Sequence, residues 1–434
     1  MYLLYNLLLI PLAMVSFPYF FFKVLKTGKY YQSFRQKVGV PPPGFDKISG
    51  KPRIWINAVS VGEVVSASPV VNAIKEIYPS ACIIFTTVTE TGQKIAHQIV
   101  KGVSVYSYFP LDFPWIVRKA LKLLDPDLFI TIETEIWPNF LRAAKRRGIK
   151  TMLVNGRISV RSIGRYQKTR FLWKHVLKNL DIMSMISLID RERIISMGAD
   201  PKRVVVNGSS KYDKLAEQID PSYEKEARQI LNISEGTKIF VAGSIHQEEE
   251  GLVLKVYRQF QKKYPEIMLI IAPRYPERAP KIEKLFEEHS TFQCIRKTEI
   301  DGGKRRKNEM VIILDTLGEL FKIYSLGTIV LCGGSFISNR GGHNILEPAA
   351  WGKVVFYGPV MDDFLDAKAL LEGVGAGISV KNAEELTKKG LNLLDHPELF
   401  AGLGGPARDV VLANSGAAAK NVELVKKLLS ANNS

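Results

Sequence analysis

The feature that most constrains this chain is a repeated alternation of short apolar runs, polar or glycine-rich turns and helix-length stretches. Ile54 to Ala58 reads as a strand, followed by Gly62-Glu63 and a helix through Tyr78. Cys82 to Thr87 precedes a helix from Gly92 to Val100. Leu128 to Ile132 precedes one from Trp137 to Arg147, and Met152 to Asn155 comes next. Such alternation predicts an α/β fold with a mostly parallel, doubly wound sheet. After a polar stretch of low periodicity from Lys214 to about Gly236, the alternation resumes. Its runs are Ile239–Ala242, Met268–Ile271, Val311–Leu314, Thr328–Cys332 and Val354–Tyr357. The chain has 434 residues, 46% of them hydrophobic, too many for one ordinary core. The expected domains are 52–215 and 216–434, with a last helix (about Ala417 to Ser430) able to pack back on the first.

Ligands of doubly wound sheets bind beyond the carboxyl ends of the strands. In the first domain those ends carry Ser60 and Glu63, Thr86 and Thr87, Glu133 and Glu135, and Asn155 and Arg157. Four loops converging on one rim make a candidate site. Glu63 falls in the first turn of its helix, where the macrodipole stabilises a carboxylate whatever its role. As a general base it needs a pKa raised by burial, and that position works against one. Glu133 ends a buried strand and is harder to explain as solvated surface. Asp125-Pro126-Asp127 resembles a metal-binding D-x-D but precedes its strand, so it reads as a turn.

In the second domain the informative stretch is Gly333 to Pro359. A buried strand breaks into Gly333-Gly334. Then come Arg340, Gly341-Gly342-His343-Asn344 and a helix-like run from Ile345 to Trp351 carrying Glu347. Glycines let a backbone approach a ligand, Asn344 stands where an N-cap would, and a helix start attracts an anion. Nucleotide binding is the sharper reading. Glycines used only for packing are the plainer one.

The formal charge of +17 and a pI near 9.5 point to an anionic partner, with nucleic acid, phosphorylated lipid and a negative membrane surface all sufficient. Cys82, Cys294 and Cys332 lie far apart in apolar runs, which excludes a disulfide framework or a cysteine-based zinc site. No His/Asp/Glu cluster stands at metal-ligand spacing, so no metal is expected. Residues 1–22 contain no charge and as a helix would span about 33 Å, close to a bilayer core. They are read as a membrane anchor, spanning or, given Pro11 and Pro18, lying in the interface. Residues 23–51 form a basic juxtamembrane linker that holds both domains on the cytoplasmic side. Between Glu135 and Asp181 there is no acid but twelve Lys and Arg, from Arg142 to Lys178, interleaved with Tyr166, Phe171 and Trp173. That pattern suits an anionic amphiphile or lipid headgroups. It would suit RNA too, although no nucleic-acid-binding signature is present.

Six stretches, in order along nearly the whole chain, resemble one family. They are Ala58-Val-Ser-Val-Gly-Glu63, Glu133-Thr-Glu-Ile-Trp-Pro-Asn139, Asn155-Gly-Arg-Ile-Ser159, Gly208-Ser-Ser-Lys-Tyr-Asp213, Ala272-Pro-Arg-Tyr-Pro-Glu-Arg278 and Gly341-Gly-His-Asn-Ile-Leu-Glu-Pro348. The family is the lipid A Kdo transferases, glycosyltransferases that move 3-deoxy-D-manno-octulosonic acid (Kdo) from CMP-Kdo to a lipid A precursor. The departures are Tyr275 in place of His, Ile345 in place of Pro, and a loop before Gly341 one residue longer. The resemblance implies a GT-B architecture, two Rossmann-like domains facing a cleft, behind an inner-membrane anchor. It implies Glu63 as proton acceptor, with Glu133 and Lys211 supporting the transition state. Pro273, Arg274, Leu317, Gly318, Glu319, Asn344, Ile345, Leu346 and Glu347 would hold CMP. No cofactor, metal or nucleic acid is implied beyond the CMP-Kdo donor and a phosphorylated lipid A precursor at an anionic membrane surface. The alternatives are a GT-B enzyme using another nucleotide sugar and a membrane-anchored protein that binds RNA or anionic lipid without catalysis.

Overall fold

The computed structural model describes residues 2–11, 31–42, 45, 48–289, 292–338 and 340–430. Two compact units emerge, one of Met1–Lys214 with Asn414–Ser434, the other of Leu215–Ala413. The second unit is therefore inserted, in sequence, between two parts of the first.

The first unit is built on β1 (Arg53–Asn57), β2 (Cys82–Thr87), β3 (Val105–Tyr108), β4 (Leu128–Ile132), β5 (Lys150–Gly156), β6 (Ile182–Met185) and β7 (Val204–Val206). They form one parallel sheet in the order β3-β2-β1-β4-β5-β6-β7. The sheet is covered on both faces, so its central strands read as unbroken apolar runs. Successive side chains serve opposite cores. Trp55 and Phe129 join Phe109 and Phe140 on one face, with ring centroids 4.4–6.0 Å apart. Ile54, Ile56, Leu128 and Ile130 line the other, closed by Val422, Val425 and Leu428 of the helix Ala417–Ser430. The indole of Trp55 donates to Thr86 Oγ1 at 2.9 Å, so the largest core side chain leaves no polar group unpaired. The order of the strands reverses direction between β1 and β4, the point where such sheets open a crevice.

Residues 2–11 form a helix. Tyr2, Tyr5 and Asn6 share one face of it. Tyr5 donates to Asp112 (3.0 Å), Asn6 accepts from Asn139 (2.6 Å), and the Arg142 guanidinium lies 4.2 Å from the Tyr2 ring. Leu3, Leu4, Leu7, Leu8 and Ile10 are exposed, Leu3 at 75%. Among the described residues no helix is long and apolar enough to cross a membrane. The expected anchor over 1–22 runs on into residues 12–22, which lie outside the described ones.

The second unit is built on β8 (Ile239–Ile245), β9 (Met268–Pro273), β10 (Cys294–Arg296), β11 (Val311–Ile313), β12 (Ile329–Cys332), β13 (Val355–Tyr357) and β14 (Gly377–Ser379). Again they form one parallel sheet, ordered β10-β11-β9-β8-β12-β13-β14, with apolar cores on both faces. Here the crevice position falls between β8 and β12. β8 runs three residues past its expected end, and within that extension Gly243 lets the Tyr324 hydroxyl lie against the strand. A Cβ there would sit 2.0 Å from that oxygen. Behind Gly333–Gly334 the expected helix is shorter than its sequence suggests, Leu346–Ala350.

Candidate active site

In the first unit, Glu63 enters from the first turn of the helix Val61–Ile77, which starts directly after β1. Its side chain folds back on the strand end. One carboxylate oxygen accepts from the Val59 N–H at 2.7 Å, the other from the Ser60 hydroxyl at 3.1 Å. The residue is 7% exposed. Burial raises its pKa to about 8, with the negative charges of Glu133 and Glu135 adding to the rise. The two hydrogen bonds oppose it without cancelling it. The tension read from the sequence thus resolves in favour of burial.

Glu133 follows β4 and holds the left-handed conformation, φ +57°, uncommon for a side-chain-bearing residue. The turn that enforces it is closed by Glu133 N–H to Val154 O (2.9 Å) and Thr131 Oγ1 to Glu135 O (2.8 Å). The Thr134 hydroxyl donates to Arg157 O. So held, the Glu133 carboxylate meets Lys211 Nζ at 2.7 Å. Burial, then the Glu133 charge, also raises the pKa of Glu135.

Lys211 opens with Ser210 the helix Ser210–Gln218. Ser210, fully buried, receives Asn155 Nδ2 at 2.5 Å, returns its N–H to Asn155 Oδ1 at 3.1 Å, and donates its hydroxyl to Ser66 O. Asn155 also sits at positive φ, +54°. The loop bearing Lys211 is therefore bolted to the end of β5 and to the helix that carries Glu63. Glu63, Glu133, Glu135 and Lys211 form one cluster at the crevice between β1 and β4.

Two of the eight expected rim residues do something else. Thr86 and Thr87 lie inside β2, fully buried. Thr86 accepts from Trp55 and donates to Asn57 Oδ1 (3.1 Å), and Thr87 donates to Gln93 (2.7 Å). Their polarity serves the core. Asp127 holds Lys51 Nζ and the Arg53 N–H, in keeping with a turn.

In the second unit, Pro273 ends β9 with Arg274 directly after it, and Leu317–Glu319 follow the neighbouring β11, at the same edge of the sheet. Leu317 is 78% exposed and Gly318 has φ +87°. Glu319 is held by the Thr316 hydroxyl and by Lys297 at 3.3 Å. Asn344 caps from one position further out than expected: its Oδ1 takes the Leu346 N–H, and its Nδ2 gives to Glu347, both at 3.2 Å. Ile345 and Leu346 are buried, so they offer a ligand backbone and not side chains. Glu347 is partly buried, and burial raises its pKa to about 7 against the pull of Asn344 and the Arg274 charge.

The glycines after β12 do not open space for a ligand. The carboxylate of Glu249 sits among them, accepting N–H groups from Gly334 (2.8 Å), Ser335 (3.1 Å), Phe336 (3.2 Å) and His246 (3.0 Å). A Cβ on Gly333 would lie 2.9 Å from that carboxylate, and one on Gly334 would lie 2.7 Å from the His343 ring. Gly341 and Gly342 likewise make room for Asp363 and Met361. A nest of backbone N–H groups of the kind that binds an anion is filled by the chain's own acid. Glu249, His246 and Ser66 were not singled out from the sequence; Ser210 and His343 stood in quoted motifs without an assigned role, and Asn155 was expected on the rim, not in a network with Ser210.

A family model described as 3-deoxy-D-manno-octulosonic-acid transferase (kdotransferase) matches residues 32–214. The chain is 30% identical over 424 residues to a 3-deoxy-D-manno-octulosonic acid transferase of Haemophilus influenzae, covering 94% of both chains. It is 27% identical over 399 residues to that of Chlamydophila psittaci, covering 91% of this chain and 89% of the other. A bifunctional glycosyltransferase/methyltransferase of Fusobacterium nucleatum is 34% identical over 348 residues, 79% of this chain; the match spans about half (53%) of that longer protein. Among solved structures, the UDP-GlcNAc 2-epimerase of Neisseria meningitidis bound to UDP-GlcNAc superposes with a TM-score of 0.62 at 13% identity, covering 86% of this chain and all of the other. A glycosyltransferase of Rickettsia africae gives 0.59 at 15%, covering 88% and 99%. These likenesses show a GT-B-like fold of two parallel-sheet α/β units.

Proposed function

This chain belongs to the 3-deoxy-D-manno-octulosonic acid transferase family of glycosyltransferases, and on that premise we propose that it moves Kdo from CMP-Kdo to a phosphorylated lipid A precursor. The acceptor hydroxyl attacks the anomeric carbon of Kdo, the bond to phosphate breaks, and CMP departs, in a single displacement that inverts the centre. Glu63 takes the hydroxyl proton. Its buried carboxylate, with a pKa pushed to about 8 beside two like charges, is the observation that carries this reading, because a base works best when its proton affinity lies near the operating pH. As the anomeric carbon gains positive character, a fixed carboxylate stabilises it, and Glu133 is held for that purpose by its strained turn. Lys211, 2.7 Å from Glu133, balances that charge and can offset charge on the leaving phosphate without a metal.

CMP is assigned to the second unit. Arg274 supplies charge, Asn344 and Glu347 supply polar groups, and Pro273, Gly318, Ile345 and Leu346 supply backbone, with Leu317 and Glu319 on the exposed turn. Work at the cytoplasmic face of the inner membrane is supported by the outward leucines of helix 2–11 and by the run of Lys and Arg from Arg142 to Lys178.

The test is mass spectrometry of a lipid A precursor incubated with detergent-solubilised protein and a CMP-Kdo-generating system. A mass gain of one or more Kdo units is expected. It should fall about 100-fold or more in Glu63→Ala and be indifferent to chelator. Undiminished transfer by the variant removes Glu63 as the base, loss with chelator removes the metal-free mechanism, and no transfer by the wild type redirects the search to another nucleotide sugar.

A further inference from the structure

Two histidines meet at the crevice of the second unit, where the loops after β8 and β12 come together. His246 Nε2 and His343 Nε2 are 2.9 Å apart, with the ring planes 2° from parallel. Only one hydrogen fits between two nitrogens at that distance. One ring therefore donates from Nε2, and the other accepts there and carries its own proton on Nδ1. In this form the pair is neutral and holds two protons. A third can enter only at Nδ1 of the donating ring, giving an imidazolium that donates to an imidazole.

The rings are not placed by chance packing. Glu249 fixes the His246 backbone and the Gly334–Phe336 loop together, and Gly334 is open enough to seat the His343 ring. The charges facing the pair are Arg274 from the β9 end, Arg340 from the β12 loop, and Glu248 and Glu249 from the β8 loop. The Tyr275 ring stands edge-on to His246 at 5.9 Å. Glu249 is occupied by four backbone N–H groups, and Glu248 lies 3.6 Å from Arg340. Burial and then the Arg274 charge hold His343 down to about 4, and burial also lowers His246. At neutral pH the third proton is absent. An anion that neutralises Arg274 removes the largest of the charge effects excluding it from His343, leaving burial and Arg340.

We propose that His246 and His343 act as one unit that takes up a proton when a nucleoside monophosphate binds beside Arg274, and then donates an N–H to the ligand's anionic oxygen. The inference rests on the assignment of CMP to this unit and adds to it a proton-linked contact. One proton leaves the buffer for each ligand bound, up to full occupancy of the third position, and no bond is made or broken.

The probe is CMP, titrated calorimetrically into the full chain in detergent at pH 6.5 and 7.5, in buffers of differing ionisation enthalpy. The observed heat should vary linearly with that enthalpy, with a slope of between zero and one proton taken up. Binding should tighten toward lower pH by up to tenfold per unit. His246→Gln and His343→Gln, each checked for an unchanged melting profile, should bind CMP without the buffer-dependent heat. A wild-type heat independent of buffer overturns the proposal and needs no variant. Uptake that survives in both variants overturns it too, because the phosphate of CMP itself titrates near pH 6. Absence of CMP binding by the wild type instead overturns the donor assignment beneath it.

Discussion

A single carboxylate, Glu63, carries the sharpest contest between opposing terms in this protein. The helix start and two donors favour its charged form. Burial and the like charges of Glu133 and Glu135 disfavour it, and they win. This fixes the sign of the pH effect on stability. A pKa raised to about 8 in the folded chain, against about 4.5 for an ordinary Glu, means no penalty below pH 4.5 and a growing one as pH rises through 8. Glu63→Gln removes that term. Its unfolding free energy should therefore gain on that of the wild type from pH 5 to pH 9, by an amount on the order of a few kcal/mol at most. A difference that stays flat across that range would contradict a buried, proton-holding Glu63. At this scale the sequence was informative where a motif singled out a chemical type, as with Glu63, Glu133 and Lys211. It was silent on burial. Nothing in Ser209-Ser210 says which serine disappears into a network with Asn155, and Thr86 and Thr87 resemble rim residues until the Trp55 indole claims one of them. Gly333 and Gly334 look the same in sequence whether they yield to a phosphate or to Glu249.

Among the elements, the helix 2–11 and the helix Pro138–Arg146 are joined through Asp112. Its carboxylate accepts the Asn139 and Phe140 N–H groups at 3.0 and 2.8 Å, capping a helix from outside it, and takes the Tyr5 hydroxyl as well. The same helix follows the Glu133–Trp137 turn, so residues 2–11 bear on the anchorage of the turn that carries Glu133. Asp112→Ala should cost about 1–2 kcal/mol and lower the melting temperature by a few degrees. Hydrogen exchange should then report lost protection at the Asn139 and Phe140 amides. Leu3→Ser and Leu7→Ser, on the outward face, should leave those amides protected. Equal loss in both kinds of variant would mean that Asp112 holds nothing in particular. Elements were legible where the apolar run was long. β1, β2, β4 and β5 stand out, and the short β11, β12 and β13 are legible because every residue in them is buried and apolar. By contrast β3, β6, β10 and β14, of three or four residues each and only partly buried, were missed. In β3 only alternate residues are buried, the pattern of a strand at the sheet's edge.

For the whole molecule, strand–helix alternation was enough to read two parallel α/β units, because every crossover needs a helix and every fully covered strand is apolar. What alternation does not encode is which face a distant helix will close. Val422, Val425 and Leu428 complete a core begun at Ile54. Each fully buried aliphatic side chain contributes roughly 1.5–3 kcal/mol. A chain lacking residues 417–430 should therefore lose several kcal/mol from the first unit alone. Calorimetry should show that unit's transition moving down while the transition of residues 215–413 stays in place. Parallel displacement of both would refute the division of the core.

The same arrangement sets an order of events during synthesis. Residues 215–413 are contiguous and can close their own core as soon as they have left the ribosome. The unit made first cannot. From the emergence of its last strand until the 417–430 helix arrives, about two hundred residues must be added, which at about 5–20 residues per second takes roughly ten to forty seconds. Throughout that interval the nascent chain displays the apolar strip beside the helix Val61–Ile77 that the last helix will cover, a binding surface for chaperones that exists only while the protein is being made.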